Sequence, residues 1–224
     1  MARYTGEFVV KDIANNRQYL ADLLWKWDVG DALTGWTLGG TPPTIAANGK
    51  IDFFGNAGAG GAVTAQIVVP NTRGELLCII HFKLTKMLDD TSLSFNATYC
   101  GLTDTIPNGG LIWNYRVGAS MWGIWCNYAS VGFFVNMLRV LTPGQEYSLD
   151  IIKTQSEVIW LIDGVVTART PSGVKGGAAL SQTPQVWWCS TLKYVNFYMA
   201  YNAGQVEHYQ VRDIKVGRLV GESR

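Results

Sequence analysis

The chain has 224 residues, of which 48% are hydrophobic and 16% charged, with a net charge of +1. A near-neutral balance excludes the basic footprint of a nucleic-acid-binding surface, and without a run of about 18 apolar residues no membrane span is expected. Nine Trp lift the aromatic share to 12%, and the length suits one all-β domain with a large core.

Met1-Ala2-Arg3 leads into polar residues without the apolar stretch of a secretory signal, so a product made in the cytoplasm is expected. Glu7-Phe8-Val9-Val10 reads as a short strand or arm. Asp12 then has the character of a helix N-cap, and Ile13, Leu20, Leu23, Leu24 and Trp27 follow at roughly helical spacing. That spacing predicts a short helix over residues 13–24. Residues 37–44 form a Gly/Pro loop, 50–54 a strand, and 55–61 a glycine-rich turn. A β run, 62–69, follows that turn with no Lys-Ser/Thr, which argues against a nucleotide loop.

Residues 75–86 read as a long strand. Leu77, Ile79 and His81 alternate with Cys78, Ile80 and Phe82, so both faces are apolar around Ile79-Ile80. That marks a central strand with both faces covered, and His81 as a histidine satisfied on its strand. Asp89-Asp90 sits in a turn and 93–99 returns. Residues 101–110 look like a loop, 111–117 a strand, 121–128 a very aromatic run, and 131–140 another strand.

The clearest local signal lies in residues 146–169. Tyr147, Leu149 and Ile151 alternate with Glu146, Ser148 and Asp150, the period of a half-buried strand. A β-branched and aromatic run, 157–162, stops at Asp163-Gly164, a dipeptide suited to a type I′ turn. Residues 165–169 return. A loose stretch, 170–183, precedes strands at 185–188, 192–201 and 207–216. The sum is about 12–14 strands, enough for two sheets of six or seven.

Three pieces of that region, in order, are Tyr147-Ser148-Leu149-Asp150-Ile151, Trp160-Leu161-Ile162-Asp163-Gly164 and Val165-Val166. They resemble a recurrent segment of the concanavalin A-like lectin/glucanase superfamily, which includes laminin-G-like domains and family 16 glycoside hydrolases. The acidic turn from Trp27 to Gly35-Trp36 resembles that fold's opening, and Tyr209 to Val216 its closing strand. The resemblance spans residues 25–217. It implies an all-β, two-sheet antiparallel jelly-roll sandwich over residues 25–224, with residues 1–24 as an N-terminal arm or helix. A fold implies no activity by itself.

The catalytic strand of a family 16 glycosidase carries Glu-x-Asp-x-Glu, which places its carboxylates on one face. No such triplet occurs here, and there is no G-x-S-x-G elbow. The expectation is a protein that is not an enzyme. No acid cluster matches a lectin's metal site, and Cys78, Cys100, Cys126 and Cys189 form no C-x-x-C. No metal or cofactor is expected. The four Cys read as small buried hydrophobes on strands, with two disulfides as the alternative.

The aromatics carry the strongest functional hint, since an outward Trp or Tyr needs a sugar ring or another subunit over it. Trp113, Tyr115, Trp122, Trp125 and Trp188 are the candidates for a glycan-binding face. Phe8, Tyr19, Leu23 and Trp25 are the candidates for assembly. The leading expectation is a non-catalytic structural or attachment protein on a viral or phage particle, a homo-oligomer or a partner of other particle subunits. The alternative is a lectin-like module that stacks a cell-surface glycan on exposed aromatics. On the leading view, deleting residues 1–24 leaves a folded sandwich of lower oligomeric state.

Overall fold

The computed structural model describes residues 6–56, 60–69, 78–88, 97–105, 109–116, 121–128, 131–136, 141–154, 157–171, 194–201, 203–204 and 206–223. Within 97–136 the backbone is described throughout those segments, and of side chains only Cys100. The described residues are all-β, with sixteen strands and no helix.

One sheet has nine strands. Its main path runs β1 (Glu7–Asp12), β2 (Arg17–Trp27), β16 (Val206–Ser223), β7 (Cys78–Lys86), β12 (Glu146–Lys153), β13 (Glu157–Ile162) and β14 (Val165–Pro171). The short β4 (Thr44–Ile45) pairs with β5 (Ile51–Asn56), which in turn pairs with β16. The other sheet has seven strands, in the order β11 (Val131–Asn136), β10 (Met121–Tyr128), β9 (Gly109–Arg116), β8 (Ala97–Thr105), β15 (Tyr194–Tyr201), β6 (Gly61–Val68) and β3 (Thr37–Gly40). Every pairing is antiparallel.

Alternation builds the core between the sheets. The odd positions of β7's neighbours turn inward, so Tyr147, Leu149 and Ile151 meet Phe197 and Met199 of the opposite sheet in one buried cluster. Phe197 is its hub: its ring lies 5.4 Å from Phe82, 5.8 Å from Phe53 and 6.4 Å from Trp36. Rings at these separations add about 0.5–1.5 kcal/mol each beyond the area they bury.

A second, smaller core lies on the far face of the nine-stranded sheet. It joins Val10, Tyr19 and Ala21 of the first hairpin to Ile79, Ile152, Ile159 and Leu161. The sheet curls until its ends touch: Ile13 N–H donates to the Gly164 carbonyl at 2.7 Å, and Arg169 pairs with Asp12 at 3.3 Å. Ile80 therefore faces the first core and Ile79 the second, as the two-sided apolar pattern predicts.

The predicted helix over 13–24 is a strand hairpin instead. Asp12 does cap, its carboxylate accepting from the Asn15 backbone N–H at 3.2 Å and the Asn15 side chain at 2.8 Å. The turn ends at once, because Asn16 takes the left-handed conformation at φ +51°. Beyond it Tyr19, Ala21, Trp25 and Trp27 are buried at odd positions, a period of two that outweighs the coincidental helical spacing. A domain boundary at residue 24 falls inside β2, which pairs with β1 on one side and β16 on the other.

Other boundaries also move. The expected loop over 37–44 contains β3 and β4, and much of that over 101–110 belongs to β8 and β9. The closing strand runs on to Ser223. The turn at Asp163-Gly164 has the expected positive φ values, +52° and +73°. Cys78 and Cys100 are buried, and burial pushes the Cys100 thiol well up. Asp89-Asp90 and the strand expected at 185–188 lie outside the described residues, as does the Cys189 thiol.

Candidate functional site

The outward face of the nine-stranded sheet carries a continuous band of polar side chains. Their order follows from register. On β16, Tyr209 and Val211 turn into the core, so His208, Gln210 and Arg212 turn out. On β5, Ile51 and Phe53 turn in, so Asp52 and Phe54 turn out. The antiparallel pairing sets His208 opposite Phe54 and Gln210 opposite Asp52.

At this end the groups hold one another. Asp52 Oδ1 accepts from His208 Nε2 at 2.8 Å and from Gln210 Nε2 at 2.7 Å. Gln210 Oε1 accepts from Asn48 Nδ2 at 2.9 Å. The Phe54 ring stands edge-on to His208, with centroids 5.2 Å apart, and is 42% exposed. The result is an open aromatic surface beside a carboxylate, an imidazole and two amides whose orientations are already fixed.

The middle of the band is an ion-pair belt. Arg212 donates to both Glu146 oxygens, at 2.7 and 2.6 Å, and Lys50 donates at 3.0 Å. Arg212's hydrogen bonds outweigh the effect of burial and, with Lys50, hold the Glu146 carboxyl down at about 2. A bulge in β16 places Asp213 at φ +51°, and its carboxylate pairs with Arg212 at 2.8 Å and Lys83 at 3.3 Å. At the far end His81 donates to Asp150 at 2.7 Å across β7 and β12. A cleft of about 240 Å³ opens there, against β1 and the β13–β14 turn. The described residues hold no group of three or more metal-ligating side chains.

Four of the sequence-derived glycan candidates lie on strands of the other, seven-stranded sheet. Trp113 and Tyr115 lie on β9, and Trp122 and Trp125 on β10. Register pairs Tyr115 with Trp122, and Trp113 with Ile124 and Cys100. Their side chains lie outside the described residues, and so does Trp188 entirely. Of the assembly candidates, Tyr19 and Trp25 are buried inside the chain's own two cores, while Phe8 and Leu23 are half-buried. Asn48, Asp52, Phe54 and Gln210 carry no sequence signal because each is ordinary alone, and His208 stands out only as one of two histidines. The available signal was the alternation on residues 51–54 and 207–211, which needs the β5–β16 register to become a cluster.

No protein-family profile and no curated protein matches the chain. Solved structures do. A sialidase superposes with a TM-score of 0.59 at 8% identity, over 90% of this chain and 21% of that one, so the chain spans about a fifth of that protein. The metal-free carbohydrate recognition domain of Emp46p gives 0.56 at 12% identity, covering 91% of this chain and 97% of that one. A carbohydrate esterase from the Shiga toxin-encoding bacteriophage phi24B gives 0.58 at 10%, covering 89% and 100%. Likeness at these identities concerns the fold. With two antiparallel sheets packed face to face, the chain has the concanavalin A-like jelly-roll fold.

Proposed function

We propose that the protein is a non-catalytic carbohydrate-binding module, and that the Phe54 end of the polar band holds the sugar. The carrying observation is the exposed Phe54 ring set beside the fixed Asp52, His208, Gln210 and Asn48 groups. A sugar presents a face of C–H groups and a rim of hydroxyls. The ring takes the first by stacking, and the polar groups take the second with little loss of entropy, because they are already ordered.

Similar folds named as carbohydrate recognition domains and binding modules support this reading. Sialidase, esterase and transglycosylase neighbours also exist. The non-catalytic side of the proposal rests on the sequence, which has neither the Glu-x-Asp-x-Glu strand of a family 16 glycosidase nor a G-x-S-x-G elbow. The particle-surface role expected from sequence has less behind it; the phage neighbour bears a carbohydrate-directed name of its own.

A glycan array probed with the full chain, followed by titration of the best ligand against Phe54→Ala and Asp52→Asn, tests the proposal. Both substitutions should weaken binding at least about tenfold, close to 1.4 kcal/mol, with unfolding unchanged for Phe54→Ala. A glycan that binds both variants as well as the parent places the site elsewhere.

A further inference from the structure

The cleft at the other end of the band is a different site. Its walls include Val9, Val10, Lys11 and Ile13 on one side and His81, Ser148, Asp150, Asp163 and Gly164 on the other. Side chains of consecutive strand residues point to opposite faces. Val9, Val10 and Lys11 can line one cleft only if the strand shows it its edge. Val10 confirms this, since its side chain is buried in the second core. β1 pairs with β2 alone among the described residues; the Ile13 N–H beyond its end is taken by the Gly164 carbonyl, which leaves the outer edge before Lys11 for a partner's main chain.

The opposite wall has an electrostatic asymmetry. Asp12, fully buried, has Arg169 as its partner, and Glu146 has Arg212 and Lys50. Asp150 is 3% exposed and has an imidazole in that place. Oδ1 takes the His81 proton, and Oδ2 receives no hydrogen bond from the described residues. Lys215 stands opposite His81 in register and makes no ion pair with Asp150. A buried carboxylate with one oxygen left unbonded is costly, and a cation beside that oxygen removes much of the cost. Asp163 adds a second carboxylate at the rim, its Oδ1 accepting from the Ser148 N–H at 2.8 Å. Val9 and Ile13, 45% and 67% exposed, supply apolar surface at the mouth.

We propose that this cleft binds the lysine side chain of an extended polypeptide partner lying along the free edge of β1. The ammonium meets Asp150 Oδ2, the methylene stem lies on Val9 and Ile13, and the partner's backbone pairs with the strand edge. A cleft of about 240 Å³ admits one side chain rather than an oligosaccharide. The ion-pair belt separates it from the Phe54 surface, so the two proposals stand or fall independently.

The test is an NMR titration of the full chain with acetyl-Gly-Lys-Gly-amide and with its norleucine counterpart, following backbone amides. The lysine peptide should shift residues 9–13, 148–150 and 163–164 and saturate with a Kd of about 1 mM or tighter. The norleucine peptide should bind at least about tenfold more weakly. Asp150→Asn, which keeps an oxygen for the imidazole N–H and removes the charge, should weaken the lysine peptide by as much. Equal binding of the two peptides to the parent protein overturns the proposal, whether or not the variant folds. So does the absence of shifts at about 10 mM peptide, or a monosaccharide that shifts these amides where the lysine peptide does not.

Discussion

Asn196 sits at the centre of β15, 1% exposed, and neither its Nδ2 nor its Oδ1 has a hydrogen-bond partner among the described residues. Its strand neighbours Val195 and Phe197 face the core, and across the sheet it stands opposite Gln66 and Gly101. A buried polar group without a partner costs about 1–3 kcal/mol. Leu keeps the branching of Asn but is bulkier, with two methyls in place of the amide atoms, and Gly101 offers no side chain to collide with them. Asn196→Leu should therefore stabilise the fold by about 1 kcal/mol, the relief of the unpaired amide less the cost of the added bulk. In a chain of this length each kcal/mol moves Tm by about 2–4 °C. Calorimetry and urea titration read the gain directly. Asn196→Asp, which places a charge where the amide is already unpaired, should move Tm the other way. A lower Tm for Asn196→Leu refutes the reasoning, because it means the amide is satisfied in solution, as a buried water would do.

The acid limb of the stability curve should depend on Glu146. Its folded value, about 2, lies below the ordinary carboxylate value, so its contribution is complete above about pH 4.5 and is lost as pH falls toward 2. Glu146→Gln should flatten that limb in urea titrations between those values while lowering stability at neutral pH. Gly217→Val should cost about 3 kcal/mol, because even a Cβ there lies 2.6 Å from the Phe8 ring and 2.8 Å from the Asp22 carbonyl oxygen; unchanged chemical denaturation would show that the hairpin yields. Deleting residues 1–24 should yield insoluble protein rather than a smaller folded sandwich. β2 is an inner strand, and losing all of it but residues 25–27 bares the 217–223 edge of β16 and uncovers Ile79, Ile152 and Ile159. A soluble, cooperatively unfolding product would contradict the second core.

The sandwich was legible because its signals are local and repeated. Tyr147, Leu149 and Ile151 alternate strictly, and Asp163-Gly164 adopts the turn that its composition favours. Ile79-Ile80 announced a strand covered on both faces. What covers the second face was not legible, since it depends on the sheet curling until Ile13 reaches Gly164, 151 positions along the chain. The N-terminal hairpin resembles a helix in sequence for a related reason. Asp12 caps a turn with the same hydrogen bond that would start a helix, and only Asn16 and the burial of alternate residues distinguish the two.

In the sequence, large aromatics are what point to a site, because exposed Trp is costly. Yet the two Trp of the first hairpin, Trp25 and Trp27, are core, and among the described residues the exposed ring is that of Phe54. What makes that ring useful is Asp52, two residues before it, and His208 and Gln210, more than 150 positions away. Dispersed acids looked uninformative along the chain for the same reason: Asp52, Glu146, Asp150 and Asp213 gather on one face only after β5, β16, β7 and β12 are in register. Three of the four then find an Arg, Lys or His that leaves them partly open to solvent, and Asp150 alone is both buried and held by an imidazole. That contrast between neighbours on one sheet face, rather than any motif, is what separates a ligand-seeking carboxylate from a structural one.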